Sequence, residues 1–168
     1  LAESPKKLAK KRVRESIRAG KILGVKKMYF LGLPDNTLRG EVRLEETKKK
    51  ISDILKRHNP DIILTHSKDD YHPAHRNVAH LVKRKINKLG LKSRIYTFST
   101  GTPIRAVHKA SPKLVIDTSK FRKKKRRALR QFHSQRWNFY YFGWLSIIKD
   151  FWNGIRHNKR SVEVFYKW

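Results

Sequence analysis

Asn59-Pro60-Asp61-Ile62-Ile63-Leu64-Thr65-His66, followed by Ser67-Lys68-Asp69-Asp70-Tyr71-His72-Pro73-Ala74-His75-Arg76, is the stretch on which the fold of this chain turns. Asn59-Pro60-Asp61 breaks whatever precedes it. Residues 62–66 form a short, largely apolar run of strand length, the composition of a strand covered on both faces. Beyond the polar loop, Val78, Leu81, Val82, Ile86 and Leu89 recur at helical spacing until Gly90 closes the helix. Strand, polar loop and helix in that order make half of a βαβ unit, and open α/β sheets collect their chemistry at the carboxyl ends of strands. Here the loop carries Asp69, Asp70, His72 and His75, in a chain with 13 acidic residues against 42 basic ones. Imidazole and carboxylate are the usual ligands and proton carriers of a metal-dependent hydrolase.

The same alternation continues on either side. Ser4-Pro5 suits a helix start, Ala9, Val13 and Ile17 repeat every four residues along a basic helix, and Leu23-Gly24 ends it. Residues 25–31, with Met28, Tyr29 and Phe30, read as a strand, and 32–36 as a turn. Leu44, Thr47, Ile51, Ile54 and Leu55 share a helical face, which predicts a second helix over 42–57. Residues 94–99 and 114–116 read as two further strands with a loop at 99–103 between them. Helices alternating with strands predict an α/β fold with a mostly parallel sheet, helices on both faces and right-handed crossovers. The expectation is one domain over 1–168.

From Ser119 the character changes. Lys120, Arg122, Lys123, Lys124, Lys125, Arg126 and Arg127 form a dense basic block, edged by Ala128, Leu129 and Phe132. An aromatic segment follows from Trp137 to Trp152, and Val162-Glu163-Val164-Phe165-Tyr166 closes the chain as a last strand or extended edge. Residues 119–168 are thus a basic and aromatic C-terminal region.

Composition narrows the chemistry. The chain has no cysteine, which excludes disulfides, thiolate zinc sites and cysteine nucleophiles. No apolar run approaches the ~20 residues needed to span a bilayer, and no signal peptide is visible, which points to a cytoplasmic protein. The formal charge of +29 predicts attraction to nucleic acid, anionic lipid or other polyanions, although a generally basic proteome gives the same excess. The chain opens on Leu1, and its one methionine is Met28.

His72 and His75 stand three apart around Pro73. Proline suits the first helical turn, so both rings project near the N-terminus of the following helix, an end that favours an anionic intermediate. A pair of surface histidines in a turn is the alternative, since two histidines fall short of the three protein ligands that a zinc site usually takes. Asp69 and Asp70 either orient those imidazoles, supply a third ligand, or solvate the loop as an Asx turn. His66, at the strand end, reads as a satisfied core histidine first and as a further site residue second. Arg12 and Glu15 read as a surface ion pair one helical turn apart. Asp35 reads as a turn former, with a substrate hydroxyl as its functional alternative. The 120–127 block suits phosphates and the aromatics after it suit stacked bases; the same residues suit a solvated basic face with packed aromatics, or a membrane surface.

The order of these pieces resembles the N-acetylglucosaminyl-phosphatidylinositol de-N-acetylases, the PIG-L or LmbE-like family. The resemblance is carried by Arg12-Val13-Arg14-Glu15, Ile22-Leu23-Gly24-Val25, Phe30-Leu31-Gly32-Leu33-Pro34-Asp35 and Pro60-Asp61-Ile62-Ile63-Leu64-Thr65-His66. Most strongly it is carried by Asp70-Tyr71-His72-Pro73-Ala74-His75-Arg76. Lys125, Ala128-Leu129, His133-Ser134-Gln135 and Glu163-Val164-Phe165 follow in order. The resemblance implies a Rossmann-like α/β sheet. It implies hydrolysis of the N-acetyl amide of an N-acetylglucosamine-type sugar, small or lipid-linked, by a zinc-activated water; other divalent ions suit such ligands too. It implies His75 as a metal ligand and His72 as the group that steadies the oxyanion or donates a proton, with Asp70 beside them as an orienting catalytic residue. Asp35, Arg12 and Glu15 would lie near the sugar.

Two departures qualify the match. The family's histidine motif reads His-Pro-Asp-His, and Ala74 stands here in place of its aspartate. The family also carries Ala-His-Pro-Asp-Asp-Glu after its first strand, a motif that supplies two further ligands and the general base, and this sequence contains none. One family ligand is therefore expected here, with the fold N-terminally incomplete and the remaining segment upstream of Leu1; a natural pseudoenzyme is the alternative. Two other functional readings stand beside it. One is a basic nucleic-acid-binding protein on a degenerate α/β scaffold. The other is peripheral membrane attachment through residues 137–152, which suits a glycolipid substrate. Sequencing the coding DNA before Leu1 is expected to reveal an in-frame His-Pro-Asp-Asp segment, and a stop codon immediately upstream overturns that expectation.

Overall fold

Ser4 starts the first helix as its sequence predicts: its Oγ accepts a hydrogen bond from the Lys7 amide, and proline occupies the next position. The computed structural model describes residues 4–32, 45–98, 113–135 and 143–168. In order these form α1 (Pro5–Leu23), α2 (Glu45–His58), β1 (Ile62–His66), α3 (Pro73–Lys88), β2 (Arg94–Phe98), β3 (Lys113–Asp117), a 3₁₀ turn (Ser119–Phe121), α4 (Arg122–Leu129), a second 3₁₀ turn (His133–Gln135), α5 (Trp144–Arg156) and β4 (Val162–Lys167). The fold is mixed α/β, as expected. The strands lie in the order β1-β2-β4-β3. β1 and β2 are parallel, with Ile62 opposite Arg94 and His66 opposite Phe98. β4 closes on β2 antiparallel, with Thr97 opposite Tyr166. None of the described helices is long and apolar enough to cross a membrane.

The chain divides into two compact units, residues Leu1–Gly32 with Ile116–Glu163, and Leu33–Val115 with Val164–Trp168. The second unit holds the parallel strand pair. Ala79, Leu81 and Ile86 of α3, Ile95 of β2 and Phe165 of β4 are buried there, and α3 packs on β1. β1 itself is covered on one face only. Thr65 is buried, whereas Ile62 and Leu64 are exposed. The expected two-sided cover is not formed: α3 packs against β1, while the face that carries Ile62 and Leu64 stays open to water.

In the first unit α1 packs against α4, and α1 ends as a Schellman motif. Gly24 adopts φ 83°, its amide donates to the Lys21 carbonyl, and the Val25 amide donates to the Gly20 carbonyl at 2.9 Å. The predicted strand over 25–31 is not formed. The chain folds back onto the helix end instead, so closely that a Cβ on Gly20 would lie 2.5 Å from Met28 Sδ. Val25, Met28, Tyr29 and Phe30 stay more than a third exposed. An apolar, β-prone run becomes a strand only when another strand supplies its hydrogen bonds, and none among the described residues does so.

A three-membered ion cluster ties the later elements of this unit. Lys125 Nζ of α4 donates to Asp150 Oδ2 of α5 at 2.6 Å and to Glu163 Oε1 of β4 at 2.5 Å. Burial works to lower the Lys125 ammonium, but the two carboxylates outweigh it and hold its pKa above the usual lysine range. Burial raises the Asp150 carboxyl, opposed by Lys125. Removing the shared cation leaves two carboxylates facing each other. Lys125→Met is therefore expected to lower unfolding free energy by roughly 2–3 kcal/mol in urea titration, less than for a fully buried pair because Lys125 and Glu163 keep some solvent. Asp150→Asn, which leaves Lys125 paired with Glu163, is expected to cost only about 1 kcal/mol.

Candidate metal centre

The site forms where β1 stops. The ladder ends with the Ser67 amide donating to the Phe98 carbonyl at 3.0 Å. Ser67 then caps the turn that follows: its carbonyl accepts from the Asp70 amide and its Oγ accepts from the Asp69 amide, both at 3.2 Å. Arg76 braces the loop from the helix side, with Nη1 donating to the carbonyls of Asp70 at 2.7 Å and Tyr71 at 2.9 Å. A backbone held at both ends in this way delivers the side chain of Asp70 inward, where it is only 2% exposed.

Asp70 Oδ1 organises the rest. It accepts the His72 amide at 2.9 Å and lies 3.0 Å from His75 Nδ1. The first contact sets His72 as the N-cap of α3, extended at φ −80° and ψ 122°, with Pro73 opening the helix. The second fixes the His75 ring: a proton on Nδ1 is shared with the carboxylate, and the lone pair is left on Nε2. This carboxylate-to-imidazole contact is the arrangement that orients and strengthens a histidine metal ligand. His72 takes the opposite tautomer. Its Nδ1 accepts the Ala74 amide at 3.3 Å, so the neutral ring carries its proton on Nε2 and offers a donor at an exposed position.

His66, the last residue of β1, completes the cluster. Its ring stacks on His75 with centroids 4.0 Å apart and planes within 4°, and His72 lies 4.8 Å from His75 on a tilted ring. Burial pushes the His66 imidazole down to about 4, His75 adds to the drop, and the Asp70 carboxylate opposes it. His66 is thus a neutral base at physiological pH, and its buried Nδ1 has no hydrogen-bond partner among the described residues.

These residues fit a divalent cation. His66, Asp70 and His75 each offer a ligand atom, all within 4.8 Å of one another, and a neutral imidazole with an unsatisfied buried nitrogen is the donor such an ion requires. His75, with its tautomer set by Asp70, is the better-prepared donor.

Of the residues singled out from sequence, the fold brings His72, His75 and Asp70 together. Asp35 lies outside the described residues. Arg12 and Glu15 are in α1, in the other unit. Glu15 is 2% exposed and not the surface ion-pair member its spacing suggests. Its two oxygens accept from the Ser134 amide at 2.8 Å and the Ser134 hydroxyl at 2.5 Å, joining α1 to the second 3₁₀ turn. His66 reads first as a core residue from sequence; its position at the carboxyl end of a strand is the signal for the site reading.

A family comparison matches residues 1–86 to PIG-L, described as GlcNAc-PI de-N-acetylase, a stretch that contains β1, the loop and nearly all of α3. The chain belongs to this family. No curated protein sequence matches it significantly. Among solved structures, the conserved protein TT1542 from Thermus thermophilus superposes with a TM-score of 0.77 at 19% identity, covering 98% of this chain and 74% of that one. The 4-carboxy-2-hydroxymuconate hydratase GalB from Pseudomonas putida gives 0.75 at 20% identity, covering 94% and 71%. The N,N'-diacetylchitobiose deacetylase from Pyrococcus horikoshii gives 0.70 at 22% identity, covering 98% and 66%. The fold is thus that of LmbE-like proteins, and a hydratase among these neighbours shows that the fold alone does not choose the reaction.

The low pKa of His66 has a consequence for stability. The unfolded chain takes up that proton near pH 6.5 and the folded chain resists until about pH 4. More protons are therefore bound unfolded in that window, and stability falls as pH drops through it while being fully retained above it. Denaturant titrations of chelator-treated protein between pH 4 and 7 are expected to show this decline, and His66→Phe, which keeps a ring against His75, is expected to flatten it.

Proposed function

We propose that this protein is a divalent-metal-dependent de-N-acetylase that hydrolyses the N-acetyl amide of an N-acetylglucosamine-type sugar conjugate. The observation that carries the reading is the contact between buried Asp70 and His75 Nδ1, which prepares His75 Nε2 as a ligand inside the segment matched to the family. A zinc or similar ion held there by His75, with His66 beside it, would supply Lewis acidity, lowering the pKa of a water towards roughly 7 and polarising the amide carbonyl.

The protein's own groups have separable tasks. Asp70 holds the His75 ring in one tautomer and one orientation. His72 presents Nε2–H from the N-cap of α3, where a donor steadies the oxygen of an amide carbonyl as it gains negative charge. The helix N-terminus adds partial positive charge at the same place. The same Nε2 proton is available to a departing amine. Arg12 and Asp35 are assigned to the sugar. Glu15 is assigned to the sugar on the family resemblance alone, since its oxygens are engaged by Ser134. The Pyrococcus relative named for diacetylchitobiose supports an acetylated amino sugar as the substrate class.

Acetate release from an N-acetylglucosamine conjugate, measured with and without added zinc, tests the proposal. Activity is expected to depend on the metal, to be removed by chelation and to be lost in His75→Ala; retained activity in that variant sinks the metal assignment. His72→Ala is expected to lower kcat by roughly 10²–10³-fold with bound metal unchanged. Asp70→Asn is expected to weaken metal affinity by about 10–100-fold in a competition titration.

A further inference from the structure

Helix α5 turns its apolar side outward. Asp150 and Gly154 are buried, the first by its ion pair with Lys125 and the second by backbone packed against it. A Cβ on Gly154 would lie 2.5 Å from the Lys159 carbonyl oxygen and 2.9 Å from the Ser161 nitrogen. These two contacts fix the rotation of the helix about its axis. At about 100° per residue, Ile148, Phe151, Trp152 and Ile155 then share an arc of about 100° on the opposite side. They are 44%, 50%, 58% and 51% exposed. A helix of a globular protein ordinarily buries such a stripe, and a contiguous exposed one marks an interaction surface.

We propose that the Ile148–Phe151–Trp152–Ile155 face of α5 seats on an anionic lipid surface. The choice of occupant rests on charge and shape. Arg156, His157, Lys159 and Arg160 follow the stripe directly and are exposed, and the chain carries a net charge of +29. A second copy of the chain would bring an equal positive charge against this one, so self-association through this face is opposed by repulsion. Nucleic acid would satisfy the cations and could stack on Phe151 and Trp152, but it offers nothing to the isoleucines at either end of the stripe. A bilayer satisfies both parts: hydrocarbon for the four apolar side chains, and anionic headgroups for the cations at their border. With 13 residues α5 is too short to span, so it lies in the interfacial plane with its aromatic rings at headgroup depth. This inference is independent of the deacetylase reading.

Co-sedimentation of the 168-residue chain with vesicles tests it. At about 0.15 M salt, binding is expected to phosphatidylcholine vesicles containing about one-third phosphatidylglycerol, and much less to phosphatidylcholine alone. The double variant Phe151→Ser, Trp152→Ser is expected to bind the anionic vesicles at least about tenfold more weakly. Should that variant fail to fold by circular dichroism, Trp152→Phe decides: brominated lipid is expected to quench wild-type fluorescence more than that of the variant. Four results overturn the proposal. They are absence of wild-type binding to anionic vesicles, equal binding by the folded double variant, equal quenching in Trp152→Phe, and a wild-type dimer or oligonucleotide complex that the double variant abolishes while vesicle binding stays unchanged.

Discussion

One buried carboxylate organises the candidate site. Asp70 is withdrawn from water, and a carboxylate in that position must be met by donors. It is met by the His72 amide and by His75 Nδ1. Those two bonds determine where α3 begins, which His75 nitrogen keeps its lone pair and how the ring faces. Asp70 in turn stays in place because Arg76 and Ser67 clamp the backbone around it. The His72 tautomer follows from the cap geometry that Asp70 enforces. The site is a chain of dependencies running from one residue, and the imidazoles are its outermost links.

The two histidines of the loop thereby acquire different chemistry from the same helix end. His75 lies one turn inside α3, where a carboxylate reaches its Nδ1. His72 lies at the cap, where a backbone amide reaches the same atom. An acceptor on one Nδ1 and a donor on the other reverse the tautomers, so one ring offers a lone pair and the other a proton. Ala74, which replaces the acidic residue of the family motif, is buried and leaves this division intact. His66 contributes neutrality: a charged imidazole stacked on His75 would oppose any cation nearby.

The first unit shows a different economy of charge. Its inward-facing ion cluster, Lys125 with Asp150 and Glu163, uses polar groups to join α4, α5 and β4. Since Asp150 occupies the inner face of α5, Ile148, Phe151, Trp152 and Ile155 are left on the outer one. The inversion follows from the ion cluster together with the close approach at Gly154.

Much of this is legible in the residues themselves. The capped start at Ser4-Pro5, the glycine stop at Gly24, the breaker at Asn59-Pro60 and the helix opening at Pro73 are local signals, and local hydrogen bonds satisfy them. The strand, loop and helix around Asp70, and the pairing of His72 with His75, follow from spacing alone. What sequence does not show depends on neighbours distant along the chain. The apolar run at 25–31 lacks a described strand to pair with, and β1 is covered by α3 while the face of Ile62 and Leu64 stays open. Glu15 is drawn inward by Ser134, 119 residues away. The outward turn of α5 is imposed by Lys125 and by the backbone at 159–161. Periodicity states which side chains share a face, but only the contacts made across the fold decide whether that face meets protein or water.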